Sequence, residues 1–167
     1  MLRIALEIAE DRWSETGLDW NALACAVCDA ALKATPFEHW SSAAEVLEVS
    51  VQLTNDAEVQ ELNRDYRGKD KPTNVLSFPM IEMRELADGL LAPEQLLGDV
   101  VLALETVAAE AAAQGKTLRD HGLHLIAHGF LHLLGYDHET GAADAEAMEA
   151  LERRALAELN VADPYGE

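Results

Sequence analysis

Residues 2–8 alternate Leu2, Ile4, Leu6 and Ile8 with Arg3, Ala5 and Glu7, a period of two that predicts a half-buried strand. A helix is expected over 18–34, closed by Pro36, which cannot continue it. From Glu45 the alternation returns, with Leu47, Val49, Val51 and Leu53 on one side and Glu48, Ser50 and Gln52 on the other. Asn55 and Glu58 then suit a capping box opening a short helix that ends before Gly68. Residues 73–78 (TNVLSF) predict a third strand, stopped by Pro79, and 99–103 a fourth. Between them, 79–97 has no clear period, which leaves two readings open: a lid or binding segment, or a disordered insertion. A helix follows over 105–114 and ends at Gly115, and Thr117 with Asp120 suits the start of another. The last helix is expected over 143–159, amphipathic through Ala147, Leu151, Ala155 and Leu159. No internal repeat is found. The pattern predicts an α+β fold in a single domain, with a small mixed β-sheet of about four strands packed against about five helices.

The helix after Thr117 changes the picture. Residues 124–138 read HLIAHGFLHLLGYDH and hold four of the six histidines of the chain. Four residues turn an α-helix by about 400°, so His128 and His132 leave one face a single turn apart, the spacing two ligands of one ion need. Gly135 stands where a helix ending after Leu134 wants a left-handed residue, and the turn it permits brings His138 back towards the first two. Three neutral imidazoles with no fourth protein ligand nearby fit a tetrahedral zinc site, one ion per chain, whose last position holds water. His124 lies on the same stripe, but its rise to His132 is roughly 12 Å, too far for both to hold one ion, so it is read as packed or hydrogen-bonded beside the site. His121 is read as polar surface. The spacing of His128, His132, Gly135 and His138 is that of the long zinc motif of metzincin peptidases, with Gly129 where those enzymes have the glutamate that takes a proton from the bound water. A glycine cannot move a proton, so different chemistry is expected.

Composition adds limits. A chain of 167 residues, 49% apolar, suits one core. The opening segment is interrupted by Glu7, Glu10 and Asp11, unlike a signal peptide, and no apolar run reaches 18 residues, so a soluble cytoplasmic protein without membrane association is expected. The net charge of −19 argues against non-specific nucleic-acid binding, and no DNA partner is expected. It leaves room for a local basic groove: Arg64, Arg67, Lys69 and Lys71 fall within eight residues against two acids, Asp65 and Asp70, and such a cluster is either a solvated loop or an RNA contact. Cys25 and Cys28 form a CxxC inside an Ala-rich helical stretch with no second pair, which reads as small buried helix residues.

Taken together, HGFLHLLGYDH, the upstream YRGKDKPTNVLSFP, the LGDVVL strand and the terminal DPY resemble the YbeY family, bacterial rRNA maturation factors and endoribonucleases. The motifs occur in the family's order from about Val46 to Tyr165, and the first 45 residues add little. The resemblance implies a single metal-dependent hydrolase domain: a single-strand-specific endoribonuclease in 16S rRNA 3′-end maturation and ribosome quality control. Its partners would be rRNA, the small ribosomal subunit and the assembly factors of that subunit. Zinc would be held by His128, His132 and His138, and Arg67 would be the functional arginine.

The chemistry agrees with that assignment. RNA cleavage needs a polarised phosphodiester, an activated nucleophile and stabilisation of added negative charge; zinc with an open position can supply the first two. Arg67 can supply the third through the paired donors of its guanidinium. Asp137 can orient a ligand from behind or assist proton transfer, although capping the turn is the commoner use of Asp at such a position. No general base is evident. Two other readings stay open, a non-catalytic ribosome-assembly factor with a structural zinc and, disfavoured by Gly129, a metallopeptidase.

Overall fold

The computed structural model describes residues 1–82, 85 and 93–166. Four strands form one sheet: β1 (Leu2–Ile8), β2 (Val46–Thr54), β3 (Val75–Pro79) and β4 (Glu94–Ala103), in the order β1-β2-β4-β3. β1 pairs with β2 and β2 with β4 in parallel, whereas β3 runs antiparallel to β4 at the edge. Among the described residues there are five α-helices: α1 (Trp20–Lys33), α2 (Asp56–Arg67), α3 (Leu104–Ala113), α4 (Leu118–Leu133) and α5 (Ala142–Glu158).

The period-two patterns become the two faces of the sheet. Leu47, Val49, Val51 and Leu53 are all fully buried and join Leu97, Val100 and Leu102 of β4 in the main core, beneath α1, α4 and α5. The opposite face of β3 and β4 presents Leu76, Val101 and Ala103, which α2 covers with Val59. The expected mixed sheet and α+β class are therefore observed. Only half of the capping box forms. The Asn55 side chain accepts from the Glu58 amide at 2.9 Å, but the Glu58 carboxylate turns to Gln52 and Thr54 instead of reaching back.

Four expectations need correction. β4 begins at Glu94, so the end of the expected 79–97 loop is strand: its pairing with Val46–Glu48 of β2 extends it where alternation is not visible in the sequence. The rest of the lid reading falls largely on 83–84 and 86–92, outside the described residues. The buried stripe of α5 runs through Met148, Glu152, Ala155 and Leu156, and Ala147 is exposed. Leu151, Ala155 and Leu159 pack on the core as expected, while the buried arc takes in Met148 and Leu156 in place of the smaller Ala147 and carries a glutamate inside with them. His121 is only 3% exposed and bonds Glu110 at 2.9 Å, so it is an interior residue. The expectation that both cysteines are buried holds for Cys28, whose thiol is pushed up by desolvation, but not for Cys25, which the same helix turns to the exposed side.

Candidate metal centre and groove

α4 starts where its cap chemistry places it, with the Thr117 side chain accepting from the Asp120 amide at 3.1 Å. Leu123, Ile126, Ala127, Phe130 and Leu131 fill its buried arc, which leaves His128 and His132 half-buried on the flank facing β3. Gly129 lets the helix approach the sheet, since a Cβ there would stand 2.7 Å from Val100 Cγ1 and 3.1 Å from Ser77 Oγ. The helix ends as a Gly-capped turn: Gly135 has φ +91°, its amide donates to His132 O at 3.0 Å, and the Tyr136 amide reaches Leu131 O at 3.1 Å. That reversal returns His138 to the other two.

His128 Nε2 and His132 Nε2 are 3.0 Å apart, and ligand atoms of all three histidines lie within 4.8 Å of one another. The outer nitrogens say what belongs between them. His128 Nδ1 faces Glu152 Oε1 at 2.5 Å and His132 Nδ1 faces the Tyr136 carbonyl at 2.8 Å. Both acceptors require a proton on Nδ1, so in the neutral rings both Nε2 atoms present lone pairs to each other with no hydrogen to share. A cation resolves that repulsion. Two nitrogens on one tetrahedral zinc stand roughly 3.3 Å apart, close to the separation seen, so the residues fit a metal ion. Burial, and then the neighbouring His128, hold the His132 imidazole below its ordinary value, which favours the neutral form a ligand needs.

The three histidines open into a groove of about 550 Å³ that is also lined by Arg67, Lys69 and Lys71, from the end of α2 and the loop after it. The Arg67 guanidinium donates to Ser77 O at 3.1 Å, and Ser77 Oγ donates to Gly129 O, also at 3.1 Å. Arg67 is thus fixed to the edge of β3, and β3 to the backbone directly after His128. Arg64 does not line the groove; it pairs with Asp65 at 3.1 Å. Asp137 lines it, and its Oδ1 accepts from the Glu139 amide at 2.9 Å, which with the nearby imidazoles keeps the carboxyl below its usual range.

His124 is not among the three. Its Nε2 lies 3.2 Å from the Tyr165 hydroxyl and 3.7 Å from Glu152 Oε2. Glu152 is the residue that sequence reasoning missed. It is fully buried, and burial works to raise its carboxyl, but hydrogen bonds from His124, His128 and Tyr165 outweigh that and hold it at about 2. A signal for it existed: Met148, Ala155 and Leu156 sit four before, three after and four after Glu152, so the acid interrupts an apolar stripe at helical spacing.

The family model described as Endoribonuclease YbeY matches residues 9–160. The chain belongs to the YbeY family. The match reaches well into the first 45 residues, where the motifs alone gave little. A YbeY endoribonuclease of Sphingopyxis alaskensis is 52% identical over 153 residues, covering 90% of both chains. One of Rhizorhabdus wittichii is 50% identical over 168 residues, covering 99% of this chain and 97% of its own. A Thermotoga maritima protein solved in solution shares the fold, with a TM-score of 0.53 and 24% identity over the full length of both chains. The YbeY assignment therefore spans the whole architecture and not only the histidine segment.

Proposed function

We propose that the protein is a zinc-dependent endoribonuclease for single-stranded RNA, one hydrolase domain over 1–167. It acts in the cytoplasm on 16S rRNA 3′-end maturation and ribosome quality control, with the small subunit and its assembly factors as partners. One observation carries the reading: the three-histidine centre and the cations Arg67, Lys69 and Lys71 line the same groove. In a chain of net charge −19, cations gathered at a metal-fitting site mark where a polyanion is received. The relatives named as endoribonucleases support RNA as that polyanion.

His128, His132 and His138 would hold the ion through one nitrogen each. When bound, zinc with an open position polarises a phosphoryl oxygen and lowers the pKa of a coordinated water. Lys69 and Lys71 attract and hold the backbone as point charges. Arg67 gives one N–H to Ser77 O and keeps its other donors for phosphate oxygens, so its position is set before substrate arrives and its charge meets that developing on the phosphoryl group. Asp137 is committed to the Glu139 amide through Oδ1 and retains Oδ2 as an acceptor at the groove.

The structural-zinc alternative would need a fourth protein ligand, and among the described residues no other His, Cys, Asp or Glu joins the three. The peptidase alternative lacks its base at Gly129, and a glutamate side chain has no room to grow there. The test is cleavage of a single-stranded RNA by highly purified wild type beside His132→Ala. Loss of cleavage in the variant supports the reading, and equal cleavage by both proteins refutes it.

A further inference from the structure

Glu152 places a carboxyl group where there is no solvent exposure, and among the described residues no lysine or arginine pairs with it. Its partners are two imidazoles and a phenol: His128 Nδ1 at 2.5 Å, His124 Nε2 at 3.7 Å, and the Tyr165 hydroxyl, which donates to Oε2. With no lysine or arginine beside it, the buried carboxyl depends on these three groups for its hydrogen bonds. On the far side of the His128 ring, Nε2 faces His132 Nε2.

Tyr165 is itself held from several sides. Its ring stands edge-on to His124 at 5.4 Å between centroids, and the Arg153 guanidinium carbon lies 5.3 Å from its centre. Its amide donates to Asp163 Oδ1 at 2.8 Å, and Asp163 takes both oxygens to Arg153 Nε at 3.0 and 3.1 Å. The Asp163–Tyr165 turn is thereby stapled to α5 with the tyrosine hydroxyl aimed inward.

We propose that Glu152, oriented by Tyr165 of the C-terminal turn, is a positioning residue for the metal ligand His128. The carboxylate fixes the proton on Nδ1, sets the ring plane and raises the basicity of Nε2, while the tyrosine hydroxyl occupies Oε2 and leaves Oε1 to the imidazole. The affinity of the centre for metal then depends on residues 24 and 37 positions after His128 in the chain. This rests on the metal-centre reading above.

The experiment measures zinc affinity by chelator competition for the full-length chain, in the wild type, Glu152→Gln, Tyr165→Phe and His132→Ala, with the thermal midpoint of each zinc-free protein. Glu152→Gln keeps the size and an acceptor but loses the charge, and it should weaken zinc binding about 10- to 100-fold. Tyr165→Phe should weaken it less. In proton NMR of the loaded protein, the His128 Nδ1 proton should move upfield in both variants as its hydrogen bond weakens. Zinc affinity within twofold of wild type in both variants, while His132→Ala has lost zinc, overturns the positioning role even if the variants are less stable. Retention of stoichiometric zinc by His132→Ala instead overturns the metal-centre reading, and this proposal with it. Tyr165→Phe keeps the test informative should Glu152→Gln not fold.

Discussion

Replacing Gly129 by alanine adds one methyl group where α4 crosses the sheet. That Cβ would lie 2.7 Å from Val100 Cγ1, a short branched side chain in the fully buried part of β4, and 3.1 Å from Ser77 Oγ. Neither neighbour is the free end of a long chain, so relief requires the helix to lift or β4 to shift. Overpacking of this kind costs about 1–3 kcal/mol, and the better helix propensity of alanine returns about 1 kcal/mol. The net loss is up to about 2 kcal/mol, a fall in thermal midpoint of up to about 8 °C for a domain of this size. Lifting α4 also stretches the Ser77–Gly129 link and draws His128 away from the arginine anchored on the same strand. Gly129→Ala should therefore lose stability without zinc and cleave RNA more slowly with it. Thermal unfolding of the zinc-free protein is the deciding assay. A midpoint at or above that of wild type would show that the close approach does not constrain the helix, and would remove the structural reason for a glycine at this position.

Arg67→Ala should slow single-turnover cleavage on the order of 10² to 10³ at saturating enzyme, with zinc content unchanged. Arg67→Lys should restore part of the rate, because the charge returns without the planar fork; an effect no larger than that of Lys69→Ala would reduce Arg67 to one more backbone cation. The His132 imidazole is held below its ordinary value, so its contribution favours the folded state above about pH 6.5 and is lost as pH falls through the lowered folded value. Zinc counted after dialysis should be complete at pH 7.5 and decline only on the acid side of that window, and loss beginning above pH 7 would contradict the assignment. The wild type should cut single-stranded RNA and leave casein intact; metal-dependent casein cleavage without RNA cleavage would reverse the order of the two hydrolase readings.

The strands and the metal motif were legible because each depends on a short, repeated local spacing. Leu47 to Leu53 alternate, and the alternation alone marks which side of β2 meets the core. His128 and His132 share a helical face, and Gly135 marks the turn that brings in His138. What escaped depends on contacts distant in sequence. The first residues of β4 are strand because β2 pairs with them, not because they alternate. His121 is interior because Glu110 of another helix gives its ring a partner. Glu152 sits among acids on α5, and only the fold shows that this one points inward to His128. Arg67 could be singled out among the neighbouring cations by family resemblance, whereas its tie to Ser77 needed three dimensions.

The parallel pairing of the sheet also bears on how the protein is made. β2 lies between β1, encoded well before it, and β4, encoded well after, with Leu47 paired to Leu2 on one side and to Gln95 on the other. Parallel neighbours cannot be joined by a tight hairpin, so during synthesis one side of β2 waits with its backbone unpaired until β4 emerges. Non-local pairing of this kind slows folding and exposes a strand edge to other chains. The dense negative charge of the protein then serves nascent chains by keeping them apart during that interval. Because α4 follows β4 in the chain and packs on the completed sheet, the ligand cluster forms late, after the scaffold that spaces it. On the proposed zinc-dependent function, metal loading is a final step on a finished protein, and zinc supply should limit the fraction of active molecules rather than the yield of folded ones.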